Sequence, residues 1–136
     1  SGFDWSWGGH NPALLPDGSI LMFDNGFTRG YKDDKLYSRA VIYKVDEANK
    51  TIRQQWSYGE QRGEETYAWA VSGVQYLPHT DHVLFCPGID TPNSNGVGGK
   101  IIEIDRTTNQ VCFEAHLSTY CKIAFHRAFK QSIYNN

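Results

Sequence analysis

The sequence predicts an all-β protein built by internal repetition, and three observations carry that reading. Short alternating apolar runs separated by turn signals fill the chain, and almost no segment has helical periodicity. Two stretches, about 12–58 and 74–117, read as one unit written twice. Leu15-Pro16 recurs as Leu77-Pro78, Phe23 as Phe85 and Gly26 as Gly88 at one constant offset, and Val45-Asp46 and Ile52 recur as Ile104-Asp105 and Val111 at a slightly shorter one. Each unit holds about four strands in two hairpins. Self-similarity at a fixed period marks a repeat architecture. Four antiparallel strands per unit are what a β-propeller blade provides, whereas a sandwich or barrel need not repeat. The expectation is therefore a β-propeller domain of which 1–136 is the C-terminal part: two four-stranded blades, then a closing strand and tail over about 123–136.

The elements follow in order. Asn11 to Phe23 makes two strands around Pro16-Asp17-Gly18-Ser19, a turn in which proline presets φ and glycine accepts a left-handed position. Ala40 to Val45 alternates, turns through Asp46 to Lys50 and returns as Thr51 to Trp56. Val74 to Tyr76 turns at Leu77 to Asp81 and returns as His82 to Cys86. Lys100 to Ile104 turns at Asp105 to Asn109 and returns as Gln110 to Ala115, and a last run covers Ile123 to Phe129. Asn25 to Ser38 and Ile89 to Gly99 are rich in Gly, Asp, Asn and Lys and read as surface loops, with Arg29 a solvated cation. His79, His82 and His116 lie in or beside turns and read as surface residues. Glu64-Glu65 and Asp33-Asp34 read as loop charges.

Bulk properties narrow the function classes. A chain of 136 residues suffices for one domain with a real core. Its net charge of −2 lacks the basic excess that nucleic-acid binding favours, and no apolar run reaches membrane-spanning length. Cys86, Cys112 and Cys121 cannot all pair with one another. Cys112 with Cys121, or a set of plain thiols, are both open, and neither fixes the compartment. The start, Ser1-Gly2-Phe3-Asp4-Trp5, has no methionine, basic region or apolar region and reads as a cut end without targeting information. Two blades cannot close a ring that takes about 4–8. The chain is thus expected to be a fragment of a larger propeller, and marginal or aggregation-prone alone because each unit relies on its neighbours for burial.

Most familiar chemistries find no support. The glycines over 96–99 have no helix after them to receive a phosphate. His79 and His82 sit on a hairpin tip without a ligand cluster, so no metal is expected. There is no nucleophile-elbow serine and no CxxC pair. His10 is different. It stands just before the first unit, and its counterpart in the second is Ser72, so the repeat itself does not require a histidine.

The segment Asp4-Trp5-Ser6-Trp7-Gly8-Gly9-His10-Asn11-Pro12, followed by Leu15-Pro16-Asp17-Gly18 and Phe23-Asp24-Asn25-Gly26, resembles the arylsulfate sulfotransferase family of bacteria. So do Tyr37-Ser38-Arg39-Ala40-Val41 with Tyr43-Lys44-Val45-Asp46, Trp56-Ser57-Tyr58-Gly59-Glu60 with Arg62-Gly63, Leu84-Phe85-Cys86-Pro87-Gly88, Gly98-Gly99-Lys100, and Ala124-Phe125-His126-Arg127-Ala128. These matches run in family order to about residue 130. The resemblance implies a six-bladed propeller preceded by a small N-terminal β-domain, exported to the periplasm as a homodimer, with this chain covering roughly its last quarter.

It also implies the chemistry. A sulfuryl group passes from an aryl sulfate to a phenol through a sulfated histidine, without a nucleotide sulfate donor or other cofactor. His10 falls on the nucleophile motif, a role that suits a neutral imidazole near pH 7. Asn11, Ser72, His126 and Arg127 are the substrate-binding candidates, and Arg39 is read as a brace between packed elements. Other donors come from earlier blades, so the fragment alone is expected to be inactive. The competing reading is a non-catalytic propeller scaffold or an inactive truncated remnant. Neither nucleic acid nor membrane is expected as a partner.

Overall fold

The computed structural model describes residues 3–29, 35–93, 96–118 and 123–132, and among them the chain is all-β. Two antiparallel sheets lie face to face. The first contains β1 (Gly9–Leu14), β2 (Ile20–Asp24), β3 (Arg39–Asp46) and β4 (Thr51–Tyr58) in that spatial order. A short 3-10 segment, Glu60–Thr66, leads to the second sheet: β5 (Gly73–Leu77), β6 (His82–Cys86), β7 (Thr91–Asn93), β8 (Gly96–Asp105) and β9 (Val111–Ser118). β8 carries β6 and β7 along one edge and β9 along the other.

Side-chain parity builds the core. Successive residues of a strand face opposite sides. Leu21, Phe23, Ala40 and Ile42 of the first sheet therefore meet Val83, Phe85, Ile102 and Ile104 of the second, with Leu15, Tyr58, Ala68 and Val74 completing one buried cluster. Phe23 stacks on Phe85 with centroids 5.0 Å apart, and Tyr58 meets Phe85 edge-on at 6.1 Å. The indole of Trp56 donates to Asn109 Oδ1 at 2.8 Å and ties the two sheets at their rim.

The four expected hairpins are present. The differences lie between them. The stretch Ile89 to Gly99, read as a loop, holds β7 and the first residues of β8. Two of its glycines are there for close packing: a Cβ on Gly98 would lie 1.9 Å from Leu117 O, and one on Gly99 would lie 2.3 Å from the ring of Phe125. The run Ile123 to Phe129 makes one isolated bridge, Ala124 with Ile89, in place of a strand. Arg29 is 1% exposed rather than solvated, because it is drawn onto the buried carboxylate of Asp24. Glu65 is likewise no free loop charge. It accepts from Lys100 Nζ at 2.8 Å and pairs with Arg62, which also reaches Glu114 at 3.0 Å, so the 3-10 segment is clamped onto β8 and β9. His82 bonds Glu103 Oε1 at 2.8 Å on the face of the second sheet turned from the core. Cys86 is a buried thiol and Cys112 an exposed one, while Cys121, like Asp33-Asp34, lies outside the described residues.

Candidate active site

β1 pairs His10 with Phe23 of β2, and the register then slips before Ala13. A bulge of this kind re-aims side chains. Asn11 occupies it at a φ of 52°, a left-handed conformation that asparagine tolerates. From there its Oδ1 leaves the first sheet and accepts from the backbone N–H of Val74 in β5 at 3.0 Å. Asn11 thus stitches β1 to the second sheet one residue after the histidine.

His10 is half-buried. Its Nδ1 lies 2.6 Å from Asn25 Oδ1 and 3.2 Å from the carbonyl of Gly8. Gly8 is at a φ of 75°, which folds its carbonyl back toward the ring and needs a residue without a Cβ. Asn25 follows the last residue of β2 and is fully buried. Its Nδ2 donates to Ala68 O at 2.7 Å and Val71 O at 3.2 Å, and its own carbonyl accepts from Ser38 Oγ at 2.7 Å. Ser38 Oγ also accepts from Ala68 N at 2.9 Å, so Asn25 and Ser38 together hold the segment that leads into β5.

That segment is strained. Val71 and Ser72 have φ values of 45° and 79°, unfavourable for residues with a Cβ and most so for β-branched valine. Ser72 is 2% exposed, and its hydroxyl donates to Ala70 O at 3.0 Å and accepts from Gly88 N at 2.9 Å. His126 and Arg127 are exposed. They pass directly beside Gly73, where an added Cβ would lie 2.7 Å from Asn11 Oδ1, 2.8 Å from His126 O and 3.4 Å from Arg127 Cγ. The fold therefore gathers Asn11, Ser72, His126 and Arg127 around Gly73, with His10 joined to the group through Asn11 and Asn25.

Beneath the histidine lies a charge cluster. Asp24 has no exposure, and its Oδ2 accepts from Arg29 Nη2 at 2.5 Å and Arg39 Nε at 2.8 Å. Its Oδ1 accepts from Trp7 N at 2.7 Å and Gly26 N at 3.1 Å. Arg39 reaches on to Asp4, with Nη1 3.0 Å from Oδ2 and Nη2 2.9 Å from the carbonyl. Arg29 lies 4.0 Å over the ring of Tyr37, whose hydroxyl donates to Asp4. Burial pushes that phenol up to about 12, with Arg29 pulling the other way and the bond to Asp4 adding to the rise. The cluster ties the strand carrying Asp4 and Trp7 to the end of β2, fixing both approaches to His10. Sequence reading missed Asn25 and misplaced Arg29. Both sit in a polar stretch after a strand, and the amide of Asn25 finds its partners in the segment leading into the second sheet, more than forty residues on. Among the described residues no group of three His, Cys, Asp or Glu side chains converges as metal ligands.

Two comparisons bear on this geometry. The profile of the family described as Arylsulfotransferase (ASST) matches residues 1–127. Curated relatives give the same direction. An arylsulfate sulfotransferase AssT from Lelliottia amnigena is 37% identical over 120 residues, covering 82% of this chain and 20% of the relative. An arylsulfate sulfotransferase AssT from Escherichia coli O6:H1 strain CFT073 is 32% identical over 126 residues, covering 84% of this chain and 20% of the relative. The chain spans about a fifth of the length of the curated relatives it matches.

Proposed function

The chain belongs to the arylsulfotransferase family, and from that premise we propose that the full-length protein containing it moves a sulfuryl group from an aryl sulfate to a phenol through a sulfated His10. In this reading the two sheets are adjacent blades of a six-bladed propeller, over about 12–58 and 74–117, with 123–136 closing the ring. The protein acts as a periplasmic homodimer, and the remaining blades supply the rest of the site.

The reaction has two balanced halves. A lone pair of the imidazole attacks sulfur, an N–S bond forms as the S–O bond to the aryl oxygen breaks, and the phenolate leaves with the electron pair. An acceptor phenolate then takes the sulfuryl group from the ring and restores His10. Both halves need donors aimed at the sulfuryl oxygens. Arg127 offers a guanidinium fork that matches such oxygens, with His126 beside it. Asn11 keeps its amide nitrogen as a donor while its oxygen holds Val74. Ser72 serves through the turn that its hydroxyl fastens.

The observation that carries the reading is the side-chain anchoring of His10. A histidine that is merely exposed does not need a fully buried amide 2.6 Å from its ring. The test is to incubate the full-length protein with 4-nitrophenyl sulfate and weigh the peptide bearing His10. A gain of one sulfuryl group, lost in His10→Ala together with nitrophenol release in the presence of phenol, is the expected result. An unmodified peptide with full turnover moves the nucleophile elsewhere. No turnover at all favours a binding scaffold.

A further inference from the structure

The hydrogen bonds around Asn25 determine more than its own orientation. Its amide nitrogen faces two carbonyl oxygens, Ala68 O at 2.7 Å and Val71 O at 3.2 Å. Carbonyls only accept, so the donating end of the amide is fixed on them and the accepting end, Oδ1, is fixed on His10. The second neighbour of His10 Nδ1 is also a carbonyl, that of Gly8, at 3.2 Å. Two acceptors at one ring nitrogen require that nitrogen to carry the proton.

From this we propose that Asn25 is a positioning residue: it holds His10 as the Nδ1–H tautomer, which leaves the lone pair on Nε2 and makes Nε2 the atom that takes the sulfuryl group. The proposal rests on the reading of His10 as the nucleophile. When the N–S bond forms at Nε2, the ring gains a positive charge and keeps its Nδ1 proton. The bond to Asn25 then becomes charge-assisted and strengthens as the transition state is approached, which is the condition for an interaction to speed the step. A neutral amide is suited to both halves. It supports the cationic ring during attack, yet brings no negative charge that would hold the sulfated ring back from the acceptor. Because the amide is fully buried and tied to residues just before β5, the ring is held by both sheets at once.

The test uses full-length protein labelled with 15N in its histidine rings. A solid-state 15N difference spectrum against His10→Gln isolates the His10 ring. The expected spectrum has a protonated Nδ1 and an unprotonated Nε2 in the resting protein. Asn25→Ala should lose that single pattern, lower kcat by about 100-fold and leave KM within about threefold. Ile104→Val trims a fully buried core side chain whose strand partners are Val83 and Val111, with no bond to Asn25 or His10. It should lower the melting temperature while leaving kcat within about twofold. A proton on Nε2 in the resting protein overturns the proposal, and this needs no variant of Asn25 to fold. Equal kcat losses in Asn25→Ala and Ile104→Val, tracking equal losses of stability, overturn it as well. The two readings fail separately. Full turnover by His10→Gln removes the nucleophile and with it the catalytic role of Asn25, whatever the tautomer. An inactive His10→Gln with the proton on Nε2 removes the role of Asn25 alone.

Discussion

Asp24 is cut off from water and holds two guanidinium groups whose burial is nearly complete. Removing one partner of such a set leaves uncompensated buried charge, which costs about 3–5 kcal/mol. Asp24→Ala should therefore lower stability by that amount, read from the denaturant midpoint and slope of the full-length protein. Arg39→Lys should also be harmful, since a single ammonium cannot reach Asp24 and Asp4 together. At Cys86, burial raises the thiol to about 12, with the backbone of Ala128 pulling weakly the other way. The thiolate is the reactive form. Cys86 should accordingly resist iodoacetamide near pH 8 in the native protein and react once the protein is unfolded, as peptide mass mapping would show. His10 was singled out in the sequence by the family motif around it and by its break with the repeat, standing where the second unit has Ser72. Asn25 and Arg29 were not. An asparagine before glycine and an arginine among Gly, Asp and Lys carry the local signature of a solvated turn, and nothing nearby in the chain reveals that the segment leading into the second sheet will cover Asn25 or that Asp24, Asp4 and Tyr37 will enclose Arg29.

The 3-10 segment Glu60–Thr66 is held to the second sheet by charge, and that makes it the acid-sensitive element. Arg62 first, with Lys100 adding to it, lowers the Glu65 carboxyl from 4.5 to about 2, against the opposing effect of burial. A carboxyl depressed in the folded state stabilises that state above its unfolded value. The contribution is then lost as pH falls from about 4.5 toward 2. The protein should lose stability across that window, and Glu65→Gln should show a shallower decline, as thermal melts at stepped pH would reveal. Hairpin strands were readable from alternation and turn chemistry, as β3 and β4 around Asp46 to Lys50 demonstrate. β7 was hidden because three residues with a central proline give no period. The start of β8 was hidden because its glycines look like a loop. Gly98 and Gly99 are there because Leu117 O and the Phe125 ring occupy the space of a side chain. Gly99→Val should consequently displace Phe125, a change visible as altered protease sensitivity of the segment after β9.

At the scale of the molecule, stability comes from one core shared by two sheets. Phe85 stacks on Phe23 and meets Tyr58, so its loss is felt on both sides. Phe85→Ala should cost about 3–5 kcal/mol, the usual range for deleting a buried aromatic ring. The opposite face of the second sheet is different. It borders a cavity of about 440 Å³ lined by Leu84, Ile101, Phe113 and Phe129, and the last two are 53% and 56% exposed. If the sheets are neighbouring blades of a larger ring, the isolated 136-residue chain should bind a dye such as ANS and aggregate beyond any defined oligomer, while the full-length protein should bind little dye and stop at the dimer. Dye fluorescence and light scattering on the two proteins decide the matter.

The long-range bonds at His10 also impose an order on synthesis and folding. Asn25 is tied to partners 43 and 46 residues downstream, and Asn11 to one 63 residues downstream. A nascent chain that has made β1 to β4 has every atom of the histidine but nothing to lock the amide that aims it. The ring acquires its orientation only when β5 docks, a non-local event that comes late because its loop-closure entropy must be met first. An aimed imidazole is therefore a report that the two sheets have met. An unfinished or half-unfolded molecule carries His10 without the setting that would give it chemistry.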